Sequence, residues 1–323
     1  MITALAGGVG GARFLRGLKA HLAASDDPEL QAAEVVAVVN TGDDATFNGL
    51  RVCPDLDTVM YTLGDAVHEA QGWGRRDERT TVSEELRAYG VGPDWFTLGD
   101  RDLATHVLRT DLLRQGVPLS AVVARLCERW RPGVRVLPMT DDPAETHVDL
   151  VDGRTVHFQE WWVRLRAGVP ARSFTSVGVA DAVPAPGVLE AITGADVVLL
   201  PPSNPVVSIG TVLGVPGIRE AVRATAAPVV GVSPVLGGRV VRGMADACLS
   251  AIGVPTTAAA VGGLYADLLD AWLVDDAADG DLAGTTVPGG TAPVLTRPLL
   301  MTDADAAADL AGAALATALG LRA

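Results

Sequence analysis

Short, continuous apolar segments separated by helical patterns constrain the fold of this sequence more than any other feature. The segments are ITALAG, EVVAVVN, GVRVLPM, ADVVLLP and APVVGVSP. Apolar runs of this length predict strands that are buried on both faces, as in a parallel sheet with helices on each side. Helices are predicted at 11–22, 55–64, 83–89, 100–115, 119–130, 216–225, 243–251 and 304–319. The order of elements predicts an α/β fold, Rossmann-like and doubly wound, with a mainly parallel sheet.

The pattern also predicts how the chain is divided. We expect an α/β nucleotide-binding core at 1–69 and 133–323, interrupted by a mostly helical insert at 70–132. The pair HVDLVDG and TVHFQ, near 146–159, predicts an antiparallel hairpin added to the core. The Gly/Ala/Asp-rich stretch 275–293 predicts a loop.

Charge and cysteine content exclude several classes of protein. The net charge of −14 argues against a nucleic-acid surface, which needs a basic stripe. It leaves phosphate ligands open, because backbone N–H groups and a divalent metal hold them without positive side chains. The cysteines at 53, 127 and 248 suggest neither a disulfide framework nor a zinc site. With no signal-peptide pattern and no apolar run of about 20 residues, we expect a cytoplasmic protein without a membrane partner.

The stretch LAGGVGGARFLRGL places Gly7, Gly8, Gly10 and Gly11 between the first strand and the first helix. Glycines allow a ligand close to the backbone, and the helix N-terminus directs free N–H groups at an anion. This favours phosphate binding over a merely tight turn. The nicotinamide fingerprint fails because Arg13 stands where its last glycine belongs, and the Walker pattern is absent as well.

The stretch NTGDDATFNGLRVCPDLDTVMYTLGD follows the second strand and contains Asp43, Asp44, Asp55 and Asp57. Parallel sheets bind ligands outside the carboxyl ends of their strands. Carboxylates gathered there repel one another, and a bound Mg²⁺ offsets that repulsion. We therefore favour a metal or general-base role over a solvated acidic loop. Asp55 also fits a helix cap. Asp57, two positions further along the same predicted helix, would face a different direction and is free for another role.

Two more loops at strand ends have a composition that suits phosphate. Ser203 and Asn204 follow one strand within a proline-rich turn, although a rigid turn explains them almost as well. Gly237, Gly238 and Arg239 follow the next strand, where a hairpin turn with a surface arginine is an equal alternative. A histidine on the predicted helix at 100–115, His106, is interpreted as structural rather than catalytic.

Together and in this order, these motifs resemble the CofD-like family of 2-phospho-L-lactate transferases in coenzyme F420 biosynthesis. The resemblance is carried by AGGVGGARFLRGL, the acidic stretch, WFTLGDRDLATHVLRT, PPSNPVVSIG and SPVLGGRVVRG, and it runs to about residue 250. It implies transfer of a phosphoenolpyruvyl or 2-phospho-L-lactyl group from a GDP-linked donor to the ribitol hydroxyl of the deazaflavin FO. GMP is released, Mg²⁺ is required, and the product is coenzyme F420-0 or its dehydro form.

The resemblance also implies roles for individual residues. The Gly7–Gly11 loop, Ser203, Asn204 and the Gly237–Arg239 loop correspond to the guanosine diphosphate side. The metal and acceptor side is expected to contain the remaining candidates Asn40, Thr41, Asp44, Asp55 and Asp57. Of these, Asp44, Asp55 and Asp57 are metal candidates, and Asp44 and Asp57 are also catalytic candidates. The helical insert is expected to contribute to the deazaflavin pocket.

Two other functions fit the same motifs less well. A nucleotide-sugar-binding regulatory protein of the same fold superfamily would keep the glycine loop but needs neither the acidic segment nor the tryptophan-containing insert. A nicotinamide dehydrogenase is disfavoured because the second strand ends in Asn40 instead of an acidic residue. The enolpyruvyl and lactyl donors stay open alternatives, and a homodimer is expected.

Overall fold

A seven-stranded parallel sheet forms the centre of the computed structural model, which describes residues 1–322. The strands of the whole chain are β1 Ile2–Ala6, β2 Val35–Val39, β3 Ala45–Phe47, β4 Leu50–Val52, β5 Arg135–Pro138, β6 Glu145–Leu150, β7 Thr155–His157, β8 Ala171–Val177, β9 Val197–Leu200, β10 Val229–Val232, β11 Val235–Leu236, β12 Arg239–Val240, β13 Ala271–Asp275 and β14 Val294–Arg297. The helices are α1 Val9–Ala23, α2 Pro28–Gln31, α3 Pro54–Leu63, α4 Thr81–Ala88, α5 Asp100–Arg114, α6 Leu119–Trp130, α7 Val188–Thr193, α8 Ile209–Gly214, α9 Ile218–Ala224, α10 Ala245–Ala251, α11 Ala258–Gly263 and α12 Ala304–Arg322.

The strand order in the central sheet is β14-β13-β10-β9-β1-β2-β5, and all its pairs are parallel. Every residue of β1, β2, β9, β10 and β13 is buried, which explains why these segments are apolar without alternation. The two faces of the sheet carry separate hydrophobic cores built with the flanking helices. The predicted α/β fold with a doubly wound parallel sheet is confirmed.

The direction of winding reverses between β1 and β9. These strands are neighbours in the sheet although 190 residues, 7–196, lie between them in the chain. The chain leaves β1 toward β2 and β5 on one side, whereas β10, β13 and β14 follow β9 on the other. At such a reversal the loops after the two strands diverge and leave a crevice. The glycine-rich loop after β1 and the proline-rich loop after β9 therefore border the same opening.

Three regions differ from the sequence prediction or extend it. Strands β13 and β14 were not predicted, because a short apolar run cannot be assigned to helix or strand by periodicity alone. The predicted hairpin near 146–159 is present as β6 and β7, and β8 adds a third antiparallel strand. The predicted insert contains α4, α5 and α6 between α3 and β5, as the helical patterns indicated.

Helix α12 packs against α1 on one face of the sheet. The helices approach closely at Gly17, where a Cβ atom would lie 2.2 Å from the carbonyl oxygen of Ala307. By length and composition alone, α12 is the one helix among residues 1–322 that could cross a membrane. Its buried residues belong to the core beside α1, which is the environment of a core helix.

Candidate functional site

A cavity of about 1520 Å³ opens at the carboxyl ends of β1, β9 and β10 and extends to the helical insert. Residues of the glycine-rich loop, the acidic segment and the proline-rich loop line it, including Gly8, Gly10, Asp43, Asp55, Asp57, Ser203 and Asn204. The insert at 70–132 contributes Trp73, Phe96 and His106, and the antiparallel sheet region contributes Phe158 and Trp162. The glycine-rich loop, the acidic segment and the proline-rich loop, which the sequence predicted separately, thus border one space.

The glycine-rich loop directs the start of α1 into this cavity. Helix α1 begins at Val9, and its first turn contains no acidic residue, so its free N–H groups suit an anion. The glycines are also required for packing. A Cβ atom on Gly10 would lie 2.1 Å from the Pro202 carbonyl oxygen, and one on Gly8 would lie 2.5 Å from Asp55 Oδ1. Gly7 and Gly11 pack beneath the loop and are not among the lining residues.

The proline-rich loop uses its polar side chains to hold its own shape and that of its neighbour. Ser203 Oγ accepts a hydrogen bond of 3.1 Å from the Gly7 backbone N–H. Asn204 Oδ1 accepts from the N–H groups of Val206 at 2.9 Å and Val207 at 3.2 Å. This local arrangement is typical of asparagine in turns. Both residues line the cavity, as the sequence predicted, but these atoms already have protein partners.

Asp43 and Asp55, here called the open pair, lie together on the wall of the cavity. Asn40 joins them, since its Nδ2 donates to Asp55 Oδ2 at 2.9 Å and to Asp43 Oδ1 at 3.4 Å. Burial raises the pKa of Asp55 to about 6, although hydrogen bonds from Asn40 and Gly8 act against this. Burial and the charge of Asp55 raise the pKa of Asp43 well above its usual range. Asp43 is therefore a candidate site residue, which lies in the predicted acidic segment but was not among the predicted metal or catalytic residues.

Asp44 lies outside the cavity lining, although it is adjacent to Asp43. Its side chain is fully buried, and neither carboxyl oxygen has a hydrogen-bond partner among residues 1–322. The nearest cation is Arg51, whose Nη2 lies 3.8 Å from Asp44 Oδ2. Burial raises the pKa of Asp44 to about 7, and Arg51 lowers it only in part. The buried hydroxyl of Thr41 also has no partner within the described chain.

Asp57, Asp102, His106 and Arg109, here called the arginine-paired group, form a second polar cluster at the cavity. Asp57 lies on α3, two residues after Asp55, and faces α5 instead of the glycine loop. Arg109 is fully buried and donates from both Nη atoms to the two Asp57 carboxylate oxygens. Burial lowers the pKa of Arg109, but the charge and hydrogen bond of Asp57, together with the charges of nearby groups, raise it by more. The net shift is upward, so the guanidinium stays charged.

His106 connects the remaining members of this group. Its Nε2 lies 3.2 Å from Asp102 Oδ2, and its Nδ1 lies 3.2 Å from Arg109 Nη1. Tyr61 donates its hydroxyl to Asp102 Oδ1 at 2.5 Å. Burial opposes the ionisation of Asp102, but the hydrogen bond and charge of His106 outweigh it and lower the pKa of that carboxyl. The sequence predicts a structural role for His106, and the structure places it at the cavity lining with both ring nitrogens near charged side chains.

Two places could therefore hold a divalent metal, and they differ in charge balance. Ligand atoms of Asp57, Asp102 and His106 lie within 4.8 Å of one another. Arg109 already supplies a positive charge there and uses both oxygens of Asp57. The open pair has no Lys, Arg or His within 4.0 Å in the part of the chain that the structure describes. Two buried carboxylates without a cation fit a hard divalent ion such as Mg²⁺.

The third predicted loop, which contains Gly237, Gly238 and Arg239, does not reach the cavity through these residues, whereas Arg242 after it does. Gly237 and Gly238 form the two-residue turn between β11 and β12, with φ of +55° and +77°. A hairpin turn of this kind favours glycine, so the turn itself accounts for both residues. Arg239 is exposed and is not among the lining residues, whereas Arg242 is. The phosphate contact predicted for Gly237, Gly238 and Arg239 has no support from the lining.

Comparison with known proteins identifies the relatives of this chain. The family model for "2-phospho-L-lactate transferase CofD" matches residues 2–287. A phosphoenolpyruvate transferase of Thermobifida fusca is 60% identical over 99% of this chain and 98% of the relative. One of Streptomyces coelicolor is 58% identical over 99% of each chain. A crystal structure of a UPF0052 family protein from Bacillus halodurans has a TM-score of 0.61 at 18% identity and covers 97% of this chain and 98% of its own. That last likeness concerns the fold alone.

Proposed function

Because this chain belongs to the CofD family of transferases in coenzyme F420 synthesis, we propose that it transfers a phosphoenolpyruvyl group to the deazaflavin FO. The donor is enolpyruvyl-diphospho-5′-guanosine, the acceptor is the terminal ribitol hydroxyl of FO, and GMP is released. The enolpyruvyl donor is preferred over the lactyl donor because relatives that are 57–60% identical are named phosphoenolpyruvate transferases.

The observation that carries this proposal is the position of the open pair at the glycine-rich loop. Gly8 packs directly on Asp55, so an anion bound at the first N–H groups of α1 would lie beside Asp55, which Asn40 joins to Asp43. A diphosphate bound there would present its reacting phosphorus to acidic side chains. The cavity volume of about 1520 Å³ exceeds the roughly 300–1,000 Å³ of a typical single-ligand pocket. It therefore suits a donor and an acceptor bound together.

The proposed chemistry is a direct displacement at phosphorus. The ribitol hydroxyl oxygen attacks the phosphorus that carries the enolpyruvyl group, and the bond from this phosphorus to the oxygen of GMP breaks. Asp43 accepts the hydroxyl proton, since its side chain lines the cavity beside Asp55 and takes only a 3.4 Å hydrogen bond from Asn40. A carboxylate within reach of the attacking hydroxyl can act as a general base. No covalent enzyme intermediate is required.

Asp55 is the proposed metal ligand of the pair. Asn40 and Gly8 hydrogen-bond its carboxylate and fix its orientation, as partners of metal ligands commonly do. When bound there, Mg²⁺ would supply positive charge for the phosphate oxygens of the donor. The start of α1 adds backbone N–H groups that are already oriented toward the same charge.

The aromatic side chains of the cavity are the proposed binding surface for the deazaflavin ring. Trp73 and Phe96 belong to the insert, and Trp162 lies in the segment after β7. Trp73 is 47% exposed, which is high for a tryptophan without a ligand function. A flat heteroaromatic ring binds to such faces by stacking. This assignment extends the role predicted for the 70–132 insert.

Product analysis tests the proposed reaction. The protein is incubated with FO, Mg²⁺ and either the enolpyruvyl or the lactyl GDP-linked donor, and the products are identified by mass spectrometry. We expect GMP and dehydro-coenzyme F420-0 to form with the enolpyruvyl donor and much less product to form with the lactyl donor. Absence of product with both donors, together with unchanged FO fluorescence on mixing, would contradict the transferase and favour a nucleotide-binding regulator.

A further inference from the structure

Two arginines outside the predicted site residues, Arg13 and Arg242, line the cavity from different loops. Arg13 lies on α1, four residues after the helix begins at Val9, and is half-buried. Arg242 lies between β12 and α10 and is exposed. The charge of Arg13 acts on Arg242, so the two guanidinium groups are within electrostatic reach of each other.

Neither arginine is compensated by an acidic side chain. Within residues 1–322, no carboxylate oxygen lies within 4.0 Å of either guanidinium. The hydrogen bond from Arg16 and, to a smaller extent, the charge of Arg13 lower the pKa of Glu69. This carboxylate is paired with Arg16 at 2.6 Å and not with Arg13. Partial burial, and then the charge of Arg13, lower the pKa of Arg242. An anion between two uncompensated cations would remove this unfavourable interaction.

The loop that contains Gln71 and Trp73 fixes the position of Arg242. Arg242 Nη2 donates to the Gln71 carbonyl oxygen, and its guanidinium carbon lies 5.2 Å from the centre of the Trp73 ring. Gly72 has φ of +74°, and a Cβ atom there would lie 3.1 Å from Arg242 Nη1 and 2.8 Å from Val9 Cγ1. The loop therefore packs on both Arg242 and the start of α1. A guanidinium has five N–H donors, so most of them are still available for a ligand.

We propose that Arg13 and Arg242 bind the carboxylate of the group that is transferred, an inference that rests on the proposed function. The donor has two kinds of anionic group, a diphosphate and a carboxylate. The start of α1 and the open pair account for the diphosphate. Arg13 lies about 6 Å further along α1 than Val9, so its side chain starts beyond the diphosphate position. The planar fork of arginine matches a carboxylate with two parallel hydrogen bonds.

Binding measurements on two ligands test this assignment. Isothermal titration calorimetry would compare GDP, which lacks the carboxylate, with enolpyruvyl-diphospho-5′-guanosine. For Arg242→Gln and Arg13→Gln we expect the affinity for the donor to fall about 10- to 100-fold. The affinity for GDP should change less than about threefold. Arg242→Lys, which keeps the charge but loses the fork, should give an intermediate loss.

A control is available on the exposed surface of α6. Arg125 is exposed and outside the lining, so Arg125→Gln should bind both ligands like the wild type. An equal loss of GDP and donor affinity in Arg242→Gln would assign the arginines to the diphosphate and overturn the inference. Unchanged donor affinity in both glutamine variants would overturn it as well. Failure of the wild type to bind either guanosine ligand would instead overturn the proposed function, and this inference with it.

Discussion

The arginine-paired group and the open pair border the same cavity, yet their charges are balanced in different ways. In the first, Arg109 contributes a fully buried positive charge and donates to both oxygens of Asp57. In the second, Asp43 and Asp55 share only the neutral amide of Asn40. Both groups contain closely spaced carboxylates. The difference lies in whether the fold itself supplies the cation.

This difference separates a structural role from a chemical one. A carboxylate whose oxygens are bonded to a buried guanidinium is held in place and has little capacity left for a ligand. A pair without a cation has raised pKa values and gains from a metal ion, a proton or both. Sequence proximity does not reveal this, since Asp55 and Asp57 are two residues apart on α3 and belong to different groups.

Removal of the proposed base should give the largest effect. We expect Asp43→Asn to lower the rate of transfer about 10²- to 10⁴-fold, because general-base catalysis contributes a factor of this size. Steady-state kinetics with FO and the enolpyruvyl donor would measure the change. Asp111→Asn, an exposed substitution on α5, should keep the wild-type rate. Full activity of Asp43→Asn would refute the assignment of Asp43.

Loss of the buried cation should affect folding stability more than any other change in the arginine-paired group. Arg109→Met leaves Asp57 buried without its partner, and we expect the free energy of unfolding to fall by about 3–5 kcal/mol. Urea denaturation would measure this loss. Arg114→Met, on the exposed face of the same helix, should change stability by less than about 0.5 kcal/mol. A similar small change in Arg109→Met would contradict a structural role for this ion pair.

Asp44 should make stability depend on pH, with a smaller effect. Its pKa is about 7 in the folded protein, whereas its usual value is 3.8. Between these values the folded state keeps a proton that the unfolded chain has released, so stability falls as the pH rises. We expect this contribution to decrease by roughly 2–3 kcal/mol between pH 5 and pH 8.

Urea denaturation at the two pH values would detect the contribution of Asp44. The pH dependence should be weaker in Asp44→Asn than in the wild type by that amount, and Asp111→Asn should behave like the wild type. An identical pH dependence in Asp44→Asn and the wild type would mean that Asp44 is ionised in the fold at pH 5. Arg51, 3.8 Å away, would then compensate it in the way that Arg109 compensates Asp57.

Much of the fold could be predicted because burial leaves a direct trace in the sequence. Strands β1, β2, β9 and β10 are buried on both faces and appear as continuous apolar runs. Strand β13 is equally buried but follows an apolar helix-like segment, so its five residues did not stand out. Helix α5 was predicted at 100–115 and spans Asp100–Arg114.

The candidate site was predictable only where local sequence determines it. The glycine-rich loop and the acidic segment lie at the cavity because both directly follow strands of the parallel sheet. The pairing of Asp57 with Arg109 spans 52 residues and depends on how α5 packs against α3. The presence of Arg242 rather than Arg239 in the cavity depends on the hairpin turn at Gly237 and Gly238. The ion pair is not encoded in a local pattern, whereas the hairpin turn with a surface arginine was one of the two alternatives that the sequence left open for Gly237, Gly238 and Arg239.

Metal binding tests the contrast between the two groups most directly. Mn²⁺, which prefers the same oxygen ligands as Mg²⁺, can be titrated into the protein while electron paramagnetic resonance measures the free ion. We expect Asp55→Asn to weaken Mn²⁺ binding at least about tenfold, and Asp102→Asn, in the arginine-paired group, to leave it within about threefold of the wild type. The reverse result, with binding lost in Asp102→Asn and kept in Asp55→Asn, would contradict the account.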